Sequence, residues 1–170
     1  DALGIPTELL KKEDLAGLKE LRADNEGKPE SAKISDLTGI EHCTSLTKLE
    51  LVHHQITDVS PLANLTHLRE LYLSSNQISN LSPLASLTNL THLFLDNNPI
   101  TDLTGLANLT NLTFLALWGE QISDISPLTL LTNLTYLNLA YHQISDISPL
   151  ANLTKLEDLQ LHNNPLTDLS

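Results

Sequence analysis

The sequence predicts an α/β solenoid. Short units stack into a curved horseshoe, with a parallel β-sheet on the concave face and 3₁₀ turns on the convex face. A partly helical cap covers the N-terminal end. Three observations predict this. Leucine recurs every 22 residues as Leu46, Leu68, Leu90, Leu112, Leu134 and Leu156. Within each copy two further leucines, such as Leu49 and Leu51, alternate with one residue expected to be exposed, which is the period of a strand. A proline-bearing segment such as Ser60–Leu65 then offers a way back for the chain. A fixed period of this kind is the signature of a repeat architecture. One unit cannot bury its own apolar stripe, but stacked units build one continuous core.

The elements follow in chain order. Thr7–Leu21 carries Leu9, Leu10, Leu15, Leu18 and Leu21 among Lys and Glu, a pattern expected to be helical in part. Residues 1–33 are read as an N-terminal cap. Within it Leu18, Leu21 and Ala23 form a degenerate first strand, and the polar stretch Gly27–Lys33 is an inserted loop. Residues 34–170 are read as about six 22-residue units, the last of them cut short at Leu169–Ser170, so the stack is expected to continue beyond this chain. Parallel strands require a crossover connection. Pro61, Pro83, Pro127 and Pro149 each follow a Ser that reads as the cap of a short helix. With about six residues available, a 3₁₀ turn fits better than an α-helix.

Composition narrows the function. The chain has 170 residues, 41% of them hydrophobic, only 4% aromatic and none methionine, so the core is aliphatic. The formal net charge is -12, and from Leu46 onward the basic residues are Lys48, Arg69 and Lys155 alone. A nucleic-acid partner needs a basic stripe, and an anionic membrane surface needs a basic face. Neither is present, and no apolar run approaches the length of a membrane span. Cys43 is the single cysteine and falls in a core slot equivalent to Leu65, which reads as a buried structural thiol. The chain opens at Asp1 with no leader-like segment. That fits both a mature secreted protein and a piece of a longer one.

The 22-residue unit with N-x-I-x-D-I-x-P-L-x-x-L-T resembles the internalin class of bacterial leucine-rich repeats. The opening Glu13–Leu18 and the stretch Ile34–Ile40 are similar to the caps of related bacterial surface proteins. The resemblance covers nearly the whole chain. It implies a secreted or wall-attached protein, involved in adhesion, that binds a partner such as a host receptor through its concave sheet. It also implies an asparagine at the turn after each strand, where the amide bonds loop backbone and links neighbouring units. Asn76, Asn98 and Asn164 fit, whereas His54, Glu120 and His142 stand in the same column. Histidine can donate and accept, but an ionised Glu only accepts, so Glu120 is expected to be a weak rung.

Candidate binding residues come from the aromatics. All three Tyr, both Phe and the one Trp fall at variable positions of the strand or its end, none in a consensus leucine slot. Phe114 and Tyr136 share a column with His92, Tyr72 and Phe94 share the next, and Trp118 and Tyr141 lie toward the strand ends. Aromatics favour strands intrinsically. Their concentration in four consecutive units nevertheless points to an interaction patch comprising Tyr72, His92, Phe94, Phe114, Trp118, Tyr136 and Tyr141, with Trp118 near its centre.

Other residue types have plainer readings. Seven histidines suggest a metal, but His54 and His142 are too far apart in the repeat to share an ion, so no metal or cofactor is expected. Asn64, Asn108, Asn133 and Asn152 form sequons that the repeat itself explains. Asp58, Asp102, Asp124, Asp146 and Asp168 read as turn caps, and no nucleophile, base and orienting group converge, so the chain is not expected to be an enzyme. The function expected is that of a monomeric protein-binding recognition module, with a glycan partner less favoured. The alternatives are a structural spacer carrying another functional domain, or an engineered repeat scaffold.

Overall fold

The computed structural model describes residues 15–119 and 121–167. Residues 1–14 therefore lie outside the description, with most of the helix expected in Thr7–Leu21, as do Glu120 and Asp168. Seven three-residue strands form one parallel sheet in sequential order. They are β1 (Glu20–Arg22), β2 (Lys48–Glu50), β3 (Glu70–Tyr72), β4 (His92–Phe94), β5 (Phe114–Ala116), β6 (Tyr136–Asn138) and β7 (Asp158–Gln160). Register is constant, with Leu49, Leu71, Leu93, Leu115, Leu137 and Leu159 aligned across the sheet. From β2 onward the partners are 22 residues apart, while Glu20 of β1 pairs with Lys48 at 28. The six additional residues fall between β1 and β2, where Glu30–Ala32 forms a 3₁₀ turn.

Opposite the sheet run short 3₁₀ turns, among them Ser60–Leu62, Ser82–Ser86, Thr104–Leu106, Ser126–Leu130 and Ser148–Leu150. The serines are not their caps. No side-chain cap bond comes from the residue preceding these turns, and each Ser is the first residue inside. The column two residues earlier does the capping. Asp58 Oδ1 accepts the Ser60 N–H at 2.8 Å, Asn80 that of Ser82 at 2.9 Å, and Asp124 that of Ser126 at 2.8 Å. A short side chain that bonds backbone two residues on leaves the turn compact, which suits a connection too short for an α-helix. These same bonds hold the carboxyls of Asp58, Asp124 and Asp146 below the usual range, the Ser backbone N–H being the largest cause in each. Pro61, Pro83, Pro127 and Pro149 fix φ just inside each turn. In the unit of β4 Gly105 stands in that column. A Cβ there would lie 2.3 Å from the Leu81 carbonyl oxygen, so only glycine lets the two neighbouring turns come this close.

The core is a stack of identical aliphatic layers. Leu49, Leu51, Ile56, Leu62, Leu65 and Leu68 are fully buried, and so are their counterparts in the next three units. Each such side chain contributes about 1.5–3 kcal/mol by leaving water. Cys43 is fully buried in the same layer position as Leu65, and burial pushes its thiol pKa up.

Two side-chain ladders stitch the units. In the inner one, Asn76 Oδ1 accepts the Ile56 N–H at 3.0 Å, and its Nδ2 donates to the carbonyls of Leu51 at 2.8 Å and Leu73 at 2.9 Å. Asn98 and Asn164 repeat this pattern. In the outer one, Asn89, Asn111 and Asn133 donate to Thr66, Thr88 and Thr110 of the preceding units. The amide of Asn133, part of a sequon, is thus committed to a structural bond.

Candidate functional site

Alternate residues of a strand project from opposite faces. Because the central leucine of each strand from β2 to β6 is buried in the core, the residues on either side of it stand on the open concave face. The aromatic residues occupy these positions and meet one another. Tyr72 and Phe94 stack with ring centroids 4.5 Å apart and planes 11° apart. Phe94 and Phe114 follow at 4.7 Å and 30°, then Phe114 and Tyr136 at 4.0 Å and 6°. His92 flanks Phe114 at 5.9 Å. One continuous ring stack therefore crosses β3, β4, β5 and β6. It changes column midway: register sets Phe114 opposite His92 and Ala116 opposite Phe94, so no ring follows Phe94 in its own column.

Trp118 and Tyr141 form a separate group. Their rings meet edge to face at 5.4 Å, and Tyr141 meets His162 in the same way at 5.3 Å. Trp118 lies two residues beyond β5, and this displacement along the chain takes it away from the stack. Its ring contact is at the strand ends and not at the centre of the patch, where the sequence places it. Asp96 Oδ1 accepts the Trp118 backbone N–H at 2.8 Å and fixes this corner. Tyr141 occupies the column His53, Ser75, Asn97, Gly119, Tyr141 and Asn163, in which every residue has positive φ. At φ 64° a bulky side chain is strained, and Tyr141 is held there with its side chain half exposed.

Charge gathers at the β3 end of the stack. Lys48 Nζ lies 4.5 Å from the Tyr72 ring centroid and bonds Glu70 at 2.6 Å and the Tyr72 hydroxyl at 3.3 Å. The Tyr72 hydroxyl donates to Glu70 at 2.9 Å. The hydrogen bond from Lys48 holds the Glu70 carboxyl below its ordinary value, and burial pushes the Tyr72 hydroxyl up. Lys48, Glu70, Asp96 and His162 escape a reading based on aromatic residues alone. The 22-residue offset between Lys48 and Glu70 is the signal that marks them as neighbours.

Among the described residues, Asp24, Glu26 and His53 are the only three possible metal ligands that lie close together. The Asp24 carboxyl is held low, first by the Glu26 N–H and then by His53, whose Nδ1 lies 3.2 Å away. These bonds account for the cluster as a turn.

Comparison with known proteins agrees with this geometry. A family profile of paired leucine-rich repeats matches residues 44–86, 66–108, 88–130 and 132–170. The chain is similar to the crystal structure of an internalin C2 from Listeria monocytogenes, with TM-score 0.87, 40% identity, and coverage of 99% of this chain and 73% of that one. It is similar to an internalin F structure from the same organism, with TM-score 0.73 and 34% identity over 94% of this chain. The chain spans about half, 52%, of that protein's length. A leucine-rich-repeat protein from Leptospira interrogans matches with TM-score 0.83 and 26% identity, over 98% of this chain and 42% of that one. No curated protein sequence matches the chain.

Proposed function

The chain belongs to the leucine-rich-repeat family and is internalin-like, and from that premise we propose that it is the recognition module of a bacterial secreted or cell-surface protein, binding another protein on its concave sheet. Leucine-rich repeats are in general protein-interaction modules. In this reading residues 1–33 close one end of the stack and residues 34–170 present the binding face.

The observation that carries the proposal is the ring stack of Tyr72, Phe94, Phe114 and Tyr136 on strand positions that the fold leaves free. Large rigid rings on a fixed sheet lose little entropy on docking and bury much area. The stack also favours a protein over a glycan. Sugars lie on aromatic faces, but within the stack the faces are occupied by neighbouring rings at 4.0–4.7 Å, and between Tyr72 and Phe114 ring edges are what remain on offer. Edges suit the packing of aliphatic and aromatic side chains. The net charge of -12 disfavours nucleic acid.

The test is a binding screen against a panel of folded extracellular protein domains and a parallel glycan array. The wild type is compared with Phe94→Ala/Phe114→Ala and with a convex-face control, Thr129→Ala. Binding to a protein domain that is lost in the double variant and kept in the control supports the proposal. Binding only to glycans, or binding to protein that both variants retain, overturns it.

A further inference from the structure

No Lys or Arg occurs between Arg69 and Lys155, the stretch that carries every Tyr, Phe and Trp of the chain. Carboxylates do occur there. Among the described ones, Glu70 is paired with Lys48, and Asp102, Asp124 and Asp146 cap turns on the convex side. Asp96 belongs to neither group. It lies one residue beyond the buried Leu95 and two beyond Phe94, so it shares the concave face with the Phe94 ring. Its neighbours across the sheet are Ser74 and Trp118, both in interior units of the stack. Oδ1 accepts the Trp118 backbone N–H at 2.8 Å, and Oδ2 accepts the Ser74 hydroxyl at 3.2 Å. These two bonds hold a half-buried carboxylate in one orientation between the ring stack and the Trp118 corner. Among the described residues no Lys or Arg forms an ion pair with it. Burial is the largest cause raising the Tyr136 hydroxyl pKa, and the charges of Asp158 and then Asp96 add to it, so the field of Asp96 extends over the concave face as far as β6.

We propose that Asp96 anchors a subsite for an arginine side chain carried by the protein that docks on the concave face, with Phe94 and Trp118 on its flanks. The inference rests on the reading of that face as the binding surface. A carboxylate oxygen has two lone pairs, so each oxygen of Asp96 can accept a second bond beside those from Trp118 and Ser74. A guanidinium bonds a carboxylate through its fork while its flat faces pack on aromatic rings, and lysine lacks that plane. A fixed, half-buried acceptor loses little entropy on pairing and is screened less by salt than an exposed one. The chain already sets a cation beside a carboxylate and a ring on this sheet, at Lys48, Glu70 and Tyr72. At Asp96 the carboxylate and the rings come from this chain and the cation comes from the partner.

The test is a titration of the 170-residue chain with the peptide acetyl-Leu-Arg-Leu-amide, followed by amide and indole chemical shifts, with the isosteric neutral citrulline peptide in parallel. Saturable shifts at Asp96 and at Trp118, whose N–H reports on the Asp96 carboxylate, with the arginine peptide alone support the subsite. Asp96→Asn keeps an acceptor oxygen for Trp118 and removes the charge, so it should weaken that binding by about tenfold, equivalent to about 1.4 kcal/mol. Asp102→Asn removes the same charge from a convex turn and should change it little. Shifts spread over all exposed carboxylates, no saturable shift at Asp96 and Trp118, or equal affinity in Asp96→Asn overturns the subsite. The failure of this inference is distinguishable from failure of the binding face. A protein partner lost with Phe94→Ala/Phe114→Ala but unaffected by Asp96→Asn overturns the arginine subsite and leaves the concave reading in place.

Discussion

His54 stands to Ile34 as Asn76 stands to Ile56: the His54 Nδ1 accepts the Ile34 backbone N–H at 3.0 Å, and its Nε2 faces the Ala23 carbonyl oxygen at 2.6 Å. The imidazole thus fills an asparagine slot of the inner ladder, with Nδ1 bare and Nε2 carrying the proton. It links the chain around Ala23 and Ile34 to the first regular unit.

That tautomer makes the link sensitive to pH. Burial is the largest cause lowering the His54 pKa from 6.5, with Lys28 and His53 adding to it, while the Ala23 carbonyl and Asp24 oppose it. A base whose folded pKa is depressed contributes its full stability above the unfolded value, and that contribution is lost as pH falls through the folded one. The urea midpoint of the wild type should therefore decline below about pH 6.5. His54→Asn should remove part of that slope. Parallel pH profiles for the two proteins would show that His54 is not the titrating link.

The inner ladder should matter more than the outer one. Asn76→Ala leaves the buried Ile56 N–H and Leu51 carbonyl without a side-chain partner and should cost about 2–3 kcal/mol. Asn89→Ala, in an exposed position, should cost about 1 kcal/mol or less. Chemical denaturation of both variants checks the order, and equal losses would contradict the distinction.

Glu120 lies outside the described residues. The N–H groups of Ile34, Ile56, Ile78 and Ile144 all donate to a ladder side chain. We propose that an asparagine at position 120 would supply the same kind of rung better than an ionised Glu, which can only accept. Glu120→Asn should then raise the urea midpoint by the equivalent of about 1 kcal/mol. A lower midpoint would mean that Glu120 has a stabilising role of its own.

Much of this was legible in the sequence because the repeat carries its own alignment. The spacing from Leu46 to Leu156 dictates strand register, and register places Phe114 beside Tyr136 without further information. The convex turns were less legible. Ser60 looks like a cap by residue type and is not one, whereas Asp58, read from the sequence as a turn cap, does cap the turn from two residues earlier. The position of Trp118 was misjudged for a related reason. A column alignment gives the neighbours across strands but not how far a residue beyond the strand end departs from the stack.

Gly105 tests the convex side. A Cβ placed 2.3 Å from the Leu81 carbonyl forces two neighbouring turns apart, so Gly105→Ala should cost about 1–3 kcal/mol by overpacking. Thermal or urea unfolding measures it, and a neutral substitution would show that the turns can separate freely.

The central claim is that the aromatic concave face engages a protein partner, and hydrogen–deuterium exchange on the complex with a domain recovered from the panel tests it most directly. The account predicts protection on binding in the segments 70–75, 92–97, 114–119 and 136–141, which carry the ring stack and the Trp118 corner, with the 3₁₀ turns at Ser82–Ser86 and Ser126–Leu130 unchanged. Protection confined to those turns, with the strand segments exchanging as in the free protein, would contradict it.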